Sequence, residues 1–260
     1  MKKRNLCVAL SALLSLLGMN TAVAAAPQET LYGDRSTTVR HPEWIKNTVI
    51  YEVNLRQGTQ GRTINSFRKE LPRLRDLGVD VLWLMPVHPI SKVNRKGTLG
   101  SYYAVADYKA VNPEFGTIEQ FKDVVKQAHQ QGMKVILDWV PNHSGRDNKW
   151  VTEHPDWYEK DSLGNMKGIY DWTDVYVFDY ANKEMRKGMI DAMKFWLTDV
   201  DVDGFRCDVA GEVPTDFWDE AHPQLQAVKE DVFMLAEASK PELQKNGFDM
   251  GYNWPMKDLF

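Results

Sequence analysis

The stretch Gly204 to Ala210, reading GFRCDVA, carries an arginine and an aspartate two positions apart at the end of an apolar run. In an extended chain, side chains alternate between faces, so Arg206 and Asp208 share one side and Cys207 takes the other. A guanidinium beside a carboxylate favours its ionised form, the form in which a carboxylate attacks. Two other runs close in the same way. VILDWVPNH (Val135 to His143) reaches Asp138 with His143 close behind, and FMLAEA (Phe233 to Ala238) reaches Glu237. Acids at the C-terminal ends of three strands are the sequence form of one catalytic face. Cys207 lies between two such residues but faces away from them, so it is not read as a nucleophile.

The elements that must hold these groups alternate strand and helix. Thr48 to Val53 reads as a first strand. A helix follows with Ile64, Phe67, Leu71, Leu74 and Leu77 at helical spacing, kinked by Pro72 and ended by Gly78. Val79 to Leu84 is the second strand, and a long loop, Pro86 to Pro113, comes after it. Thr117 and Gln120 spell a capping box ahead of an amphipathic helix that stops at Gly132. The third strand is Met133 to Leu137, and the fourth is Val202 to Cys207 after a helix bearing Met185, Met189, Met193 and Trp196. A helix over Thr215 to Lys229, a fifth strand over Val232 to Ala236 and a short sixth over Phe248 to Tyr252 complete the pattern. Near-continuous apolar strands separated by helices indicate a parallel sheet. No glycine-rich phosphate turn follows an early strand, as a doubly wound sheet would want. Acids at several strand ends instead predict a (β/α)8 TIM barrel, of which about six of the eight strands are present. Residues 144–182 are too long and aromatic for a plain connection and are expected to form an inserted loop subdomain after the third strand.

Composition bounds the function. With 43% apolar and 26% charged residues, the chain can fill a sizeable core. Residues 1–26 differ from the rest: a basic head, an apolar run from Leu6 to Leu17 and an alanine-rich end read as a signal peptide, which predicts a periplasmic or extracellular protein. Its removal takes Lys2, Lys3 and Arg4 and no acid, moving the formal charge from −4 to −7. An acidic chain suits a neutral substrate better than nucleic acid or an anionic membrane surface. Cys207 is then the one remaining cysteine, so no internal disulfide is expected. No histidine pair has metal-ligand spacing, which disfavours a metal-dependent hydrolase.

From His41 to Phe260 the chain resembles the α-amylase family of glycoside hydrolases. DWVPNH, GFRCDVA and LAEA resemble its signature segments at the ends of the third, fourth and fifth barrel strands. LGVDVLWLMPVHPI (Leu77 to Ile90) resembles its second strand, and YYAVADYKAVNPEFGT (Tyr102 to Thr117) the segment with its substrate-stacking tyrosine. The resemblance implies that Asp208 is the nucleophile, Glu237 the general acid/base and Arg206 the residue that positions the nucleophile. It further implies that His143 binds sugar hydroxyls, that Tyr103 stacks on the sugar and that Asp138 supports the site, bonding Arg206. The implied activity is retaining hydrolysis of α-1,4-glucosidic bonds in starch-like α-glucans, through two carboxyls about 5–5.5 Å apart. Arg206 is expected to keep Asp208 charged, and Asp208 with partial burial to raise the pKa of Glu237. His88, in PVHP, is a candidate for lining the site as well as for core.

Three departures from the family pattern qualify those expectations. The NHD segment of the seventh strand is absent, so the chain reads as the N-terminal part of a longer enzyme, poorly folded or inactive alone. A calcium ion is implied through Asn142, but Val177 stands where an aspartate ligand is usual. Gly211 and Glu212 replace a common Lys-His pair, which leaves product specificity open. Cyclodextrin or pullulan hydrolysis and glucan transfer are the neighbouring alternatives, and a non-catalytic glucan-binding fragment is the alternative of another class. Oligomeric state is not legible.

Overall fold

Parallel pairing begins at β1 (Ile50–Val53) and β2 (Val81–Leu84) in a computed structural model that describes residues 39–260. The signal-peptide expectation for residues 1–26 lies outside the described residues. β3 (Lys134–Trp139) pairs with β2. A small antiparallel hairpin follows, β4 (His143–Gly145) with β5 (Val175–Val177). The main sheet continues with β6 (Gly204–Cys207), β7 (Phe233–Ala236) and β8 (Met250–Gly251). Its order is β1-β2-β3-β6-β7-β8, all parallel, and the six strands curl into part of a (β/α)8 barrel. Each strand of the sheet coincides with one expected from the sequence.

The helices form where local chemistry dictates. The helix expected over Ile64 to Leu77 is two, α1 (Ile64–Arg68) and α2 (Leu71–Asp76). Pro72 lies in the first turn of α2, where its missing N–H is tolerated, so the chain restarts rather than bends. α3 (Ile118–Gln130) opens with the expected box. The Gln120 N–H donates to the Thr117 hydroxyl at 3.3 Å, and the Thr117 N–H donates to Gln120 Oε1 at 3.0 Å. α4 (Lys183–Thr198) buries Met185, Met189, Met193 and Trp196 on one face, as core. α5 (Thr215–Gln226) ends three residues earlier than expected. No helix among the described residues is long and apolar enough to cross a membrane.

Alternation along the strands divides the molecule into two apolar bodies. Leu82, Leu84, Val135, Leu137, Trp139, Phe205, Cys207, Met234 and Ala236 face outward and pack with the helices. Val81, Ile136, Phe233 and Leu235 face inward, joined by half-buried Trp83 and Tyr252. Inward positions nearer the strand ends turn polar, and Asp138 on β3 is in register with Arg206 on β6. Cys207 is fully buried on the outward face, as its place between two inward residues predicts.

The insertion between β3 and α4 is anchored rather than loose. Gly188 on α4 leaves room for the Trp157 ring, which a side chain there would strike. The Tyr108 hydroxyl lies 2.6 Å from the Val140 carbonyl and 2.8 Å from that of His143, pinning the turn after β3.

Gly204 marks the tightest backbone approach within the sheet. Its φ is 156°, and a Cβ there would land on the Phe233 carbonyl of β7. Gly204→Ala must therefore push β6 from β7, and we expect a loss of about 3 kcal/mol or more in unfolding free energy. Urea titration followed by tryptophan fluorescence checks this; a midpoint equal to the parental one would show that the sheet yields freely.

Candidate active site

Asp138, Arg206, Asp208 and Glu237 converge because three neighbouring strands deliver them. Asp138 is inward on β3, Arg206 is its register partner on β6, Asp208 follows β6, and Glu237 follows β7. The Arg206 guanidinium joins all three acids. Its Nη1 lies 2.7 Å from Asp138 Oδ1 and 3.1 Å from Asp208 Oδ1, and its Nη2 lies 2.6 Å from Glu237 Oε1. Arg206 Nε donates to the Tyr252 hydroxyl oxygen at 3.3 Å. The guanidinium carbon also sits 5.0 Å from the centroid of the Trp83 ring, a cation–π contact.

Asp138 holds the base of the cluster. Its Oδ2 accepts from the Trp83 indole N–H and from the Tyr103 hydroxyl, each at 3.1 Å, while its Oδ1 faces Arg206. Its side chain is fully buried and lies beneath the site. Tyr103 reaches the site as expected, tied to Asp138 at one end and lining the cavity above it.

Burial sets the proton balance. It drives the Asp138 carboxyl up to about 7, against the pull of Arg206, Trp83 and Tyr103. Burial, reinforced by the charge of Asp138, drives Asp208 up to about 8; Arg206 opposes this and Glu237 adds to it. The expectation that Arg206 keeps Asp208 charged is thus corrected: one cation is shared among three acids, and burial outweighs its pull on Asp208. The acids pushed toward the protonated form are Asp138 and Asp208. Glu237 is the least buried of the three, with its Oε2 accepting the Val209 N–H at 2.8 Å. Asp208 and Glu237 also interact directly, side chain to side chain.

Asp208 stands where two cavities meet. One, of about 260 Å³, is lined by Asp208 with Tyr103, His143 and Trp172; the other, of about 440 Å³, by Asp208 with Glu237, Trp172 and Trp254. His143 is buried and neutral, its pKa lowered to about 4 by burial despite a hydrogen bond to the Tyr103 backbone. Its ring meets Trp172 edge-on at 5.2 Å. His88, by contrast, belongs to the core. It packs among Tyr108, Trp139 and Trp196, its Nδ1 bonds to the Ala110 carbonyl at 3.2 Å, and it lines neither cavity.

Asn142 does not join the carboxylate cluster. Its amide nitrogen donates to His143 Nδ1 at 3.3 Å, and Val177 stands opposite His143 in the hairpin. The cavity beside Asn142 is faced by Glu159 and Lys167, which pair with each other at 2.5 Å. Calcium requires six to eight oxygen ligands. Lys167 neutralises Glu159, Glu212 is the other carboxylate that lines this cavity, and no group of three acidic, histidine or cysteine side chains fit for a metal forms among the described residues. These residues do not fit a calcium set.

Sequence reasoning missed Trp83, Tyr252 and Val209. The strict alternation Val81–Trp83 on β2 signals an inward tryptophan. Val209 gives no such signal: its φ of 46° and ψ of 36° are left-handed, a conformation that a β-branched residue adopts at a cost of about 1–2 kcal/mol. That geometry aims the Val209 N–H at Glu237.

Comparison with known proteins gives the same picture. A family profile described as alpha amylase, catalytic domain, matches residues 63–172 and 170–246. Alpha-amylase 3 of Dictyoglomus thermophilum is 28% identical over 253 residues, covering 83% of this chain and 49% of that protein. The intracellular maltogenic amylase of Bacillus subtilis is 28% identical over 267 residues, covering 85% of this chain and 43% of that one. A solved alpha-amylase from Lactobacillus plantarum superposes with a TM-score of 0.78 at 40% identity, over 82% of this chain and 54% of that one. The chain therefore spans less than half the length of these curated relatives.

A pH dependence follows from the cluster. Asp208 titrates near 8 in the fold, against about 3.9 in an unfolded chain. Between those values the folded state binds the extra proton, so this group weakens the fold as pH rises through the window. Asp208→Asn removes the titration, and we expect it to raise Tm more at pH 8 than at pH 5. An equal gain at both pH values would place the proton elsewhere.

Proposed function

Because this chain belongs to the alpha-amylase family, we propose that it carries the catalytic carboxylates of a retaining glycosidase that cleaves α-1,4-glucosidic bonds in starch-like glucans. The observation that carries this reading is the position of Asp208 at the junction of two cavities, with Glu237 lining only one of them. A sugar chain laid across both places the attacked carbon over Asp208 and the leaving oxygen beside Glu237. The cavity with Tyr103 and His143 then takes the glycone, and the cavity with Glu237 and Trp254 takes the leaving sugar.

In the first step an Asp208 carboxylate oxygen bonds to the anomeric carbon as the glycosidic C–O bond breaks, and the departing oxygen takes a proton from Glu237. In the second, Glu237 removes a proton from water, whose oxygen displaces the Asp208 ester with net retention. The proton held within the acid cluster supplies the first step. A substrate entering between Asp208 and Glu237 parts them and draws Asp208 toward Arg206 as carboxylate, leaving Glu237 as the donor. Aromatic rings at Trp172, Tyr170 and Trp254 around the second cavity suit a sugar face. They also favour a sugar acceptor over water, which supports glucan transfer as a second reading.

The N-terminal pattern of Lys2, Lys3 and Arg4, Leu6 to Leu17 and Ala22 to Ala26 supports export to the periplasm or beyond. Edman sequencing of the mature protein should begin near residue 27; a start at Met1 would refute export by cleavage. Glu237→Gln should lower kcat on maltotetraose by about 10²- to 10⁴-fold, with azide restoring turnover of an α-glucosyl substrate whose leaving group needs no acid, the product being the α-glycosyl azide of retained configuration. Asp208→Asn should abolish turnover within assay limits. Parental rates in either variant would overturn the reading.

A further inference from the structure

We propose that Asp174 and Lys96 form a clamp for the hydroxyls of the glucosyl unit next to the one that Asp208 attacks. This rests on the placement of the glycone in the cavity of Tyr103 and His143. Asp174 is 3% exposed, and its Oδ2 is buried without a hydrogen-bond partner, yet the residue lines that cavity. A buried oxygen left unmet costs about 1–3 kcal/mol, which a ligand hydroxyl recovers on binding. Lys96 lines the same cavity from the loop after β2 and, being exposed, stands at its mouth.

The two charges do not quench each other, for no Asp174–Lys96 ion pair lies within 4.0 Å among the described residues. An acceptor and a donor held apart across one cavity match a diol, whose hydroxyls donate to the carboxylate and accept from the ammonium. An anionic sugar would meet Lys96 but face the unpaired carboxylate, so the chemistry selects a neutral, hydroxyl-rich unit. Tyr103 and Arg206 each donate to Asp138 beneath the attacked sugar, and Asp174 and Lys96 take no part in that network.

The backbone that carries this carboxylate is also held in place: the Asp174 main-chain carbonyl accepts the Arg146 N–H at 3.2 Å, and β5 begins at the next residue, with Val175 paired to Gly145. Gly145 lies flat on the backbone of Ala104, where a Cβ would come within 2.9 Å of the Ala104 carbonyl oxygen. The turn carrying Asp174 is thereby fixed to the loop system that carries Tyr103.

The test compares kcat/KM for maltotetraose with kcat/KM for 4-nitrophenyl α-glucoside, whose single glucosyl unit does not reach the clamp. Asp174→Asn and Lys96→Met should each lower the maltotetraose-to-aryl-glucoside ratio by about 10-fold or more. A merely structural role lowers both parameters together, and an unchanged ratio in both variants overturns the proposal. Should Asp174→Asn lose its far-UV circular dichroism signal, Lys96→Met, at an exposed side chain, decides alone. Calorimetric titration with maltotetraose needs no turnover and separates the two readings. A parental protein that binds but hydrolyses neither substrate refutes the hydrolytic reading. Weaker binding by the variants then upholds the clamp, while equal binding, or no parental binding, overturns it.

Discussion

One guanidinium serving three carboxylates is the constraint on which this site depends. Arg206 meets Asp138, Asp208 and Glu237 with its two terminal nitrogens. Burying charges is unfavourable unless they are paired, and here the pairing is incomplete: three potential anions face one cation. That imbalance pushes Asp138 and Asp208 toward their protonated forms. Burial and mutual repulsion therefore raise the proton affinity of two of the three acids.

The aromatic residues around the cluster make that balance possible. Trp83 lies against the guanidinium and donates to Asp138, and Tyr103 donates to the same oxygen. These rings exclude water from the base of the site while supplying the few polar atoms the buried carboxylate requires. A solvated Asp138 would lose the desolvation that dominates its shifted pKa. The insertion does the same at a coarser scale. Trp172 borders both cavities, so the insertion contributes to both sides of the cleft around Asp208.

The insertion and the barrel are bound by small residues as much as by large ones. Gly188 admits the Trp157 ring, and Gly145 admits the backbone of Ala104. These contacts fix where His143, Trp172 and Asp174 sit relative to Tyr103. Rigid placement keeps these side chains from relaxing toward one another, so the cavity between them is held open.

Period-two alternation was enough to place Arg206 inward and Cys207 outward, and the Thr117–Gln120 box was enough to start α3. Both depend on neighbours within a few residues, so they are written locally. The acids at three strand ends were legible for the same reason, and so was the parallel order of the strands. Other features depend on atoms distant in sequence and could not be read. His88 belongs to a cage of Tyr108, Trp139 and Trp196 that exists only once β3 and α4 pack. Val209 is held left-handed by its surroundings against its own preference. Which acids carry the proton follows from depth of burial and from how one cation is divided, and neither quantity belongs to a linear chain. The sequence alone determined which groups reach the face of the sheet; tertiary structure decided how their charges are shared, because desolvation and Coulomb energy depend on distances that only folding sets.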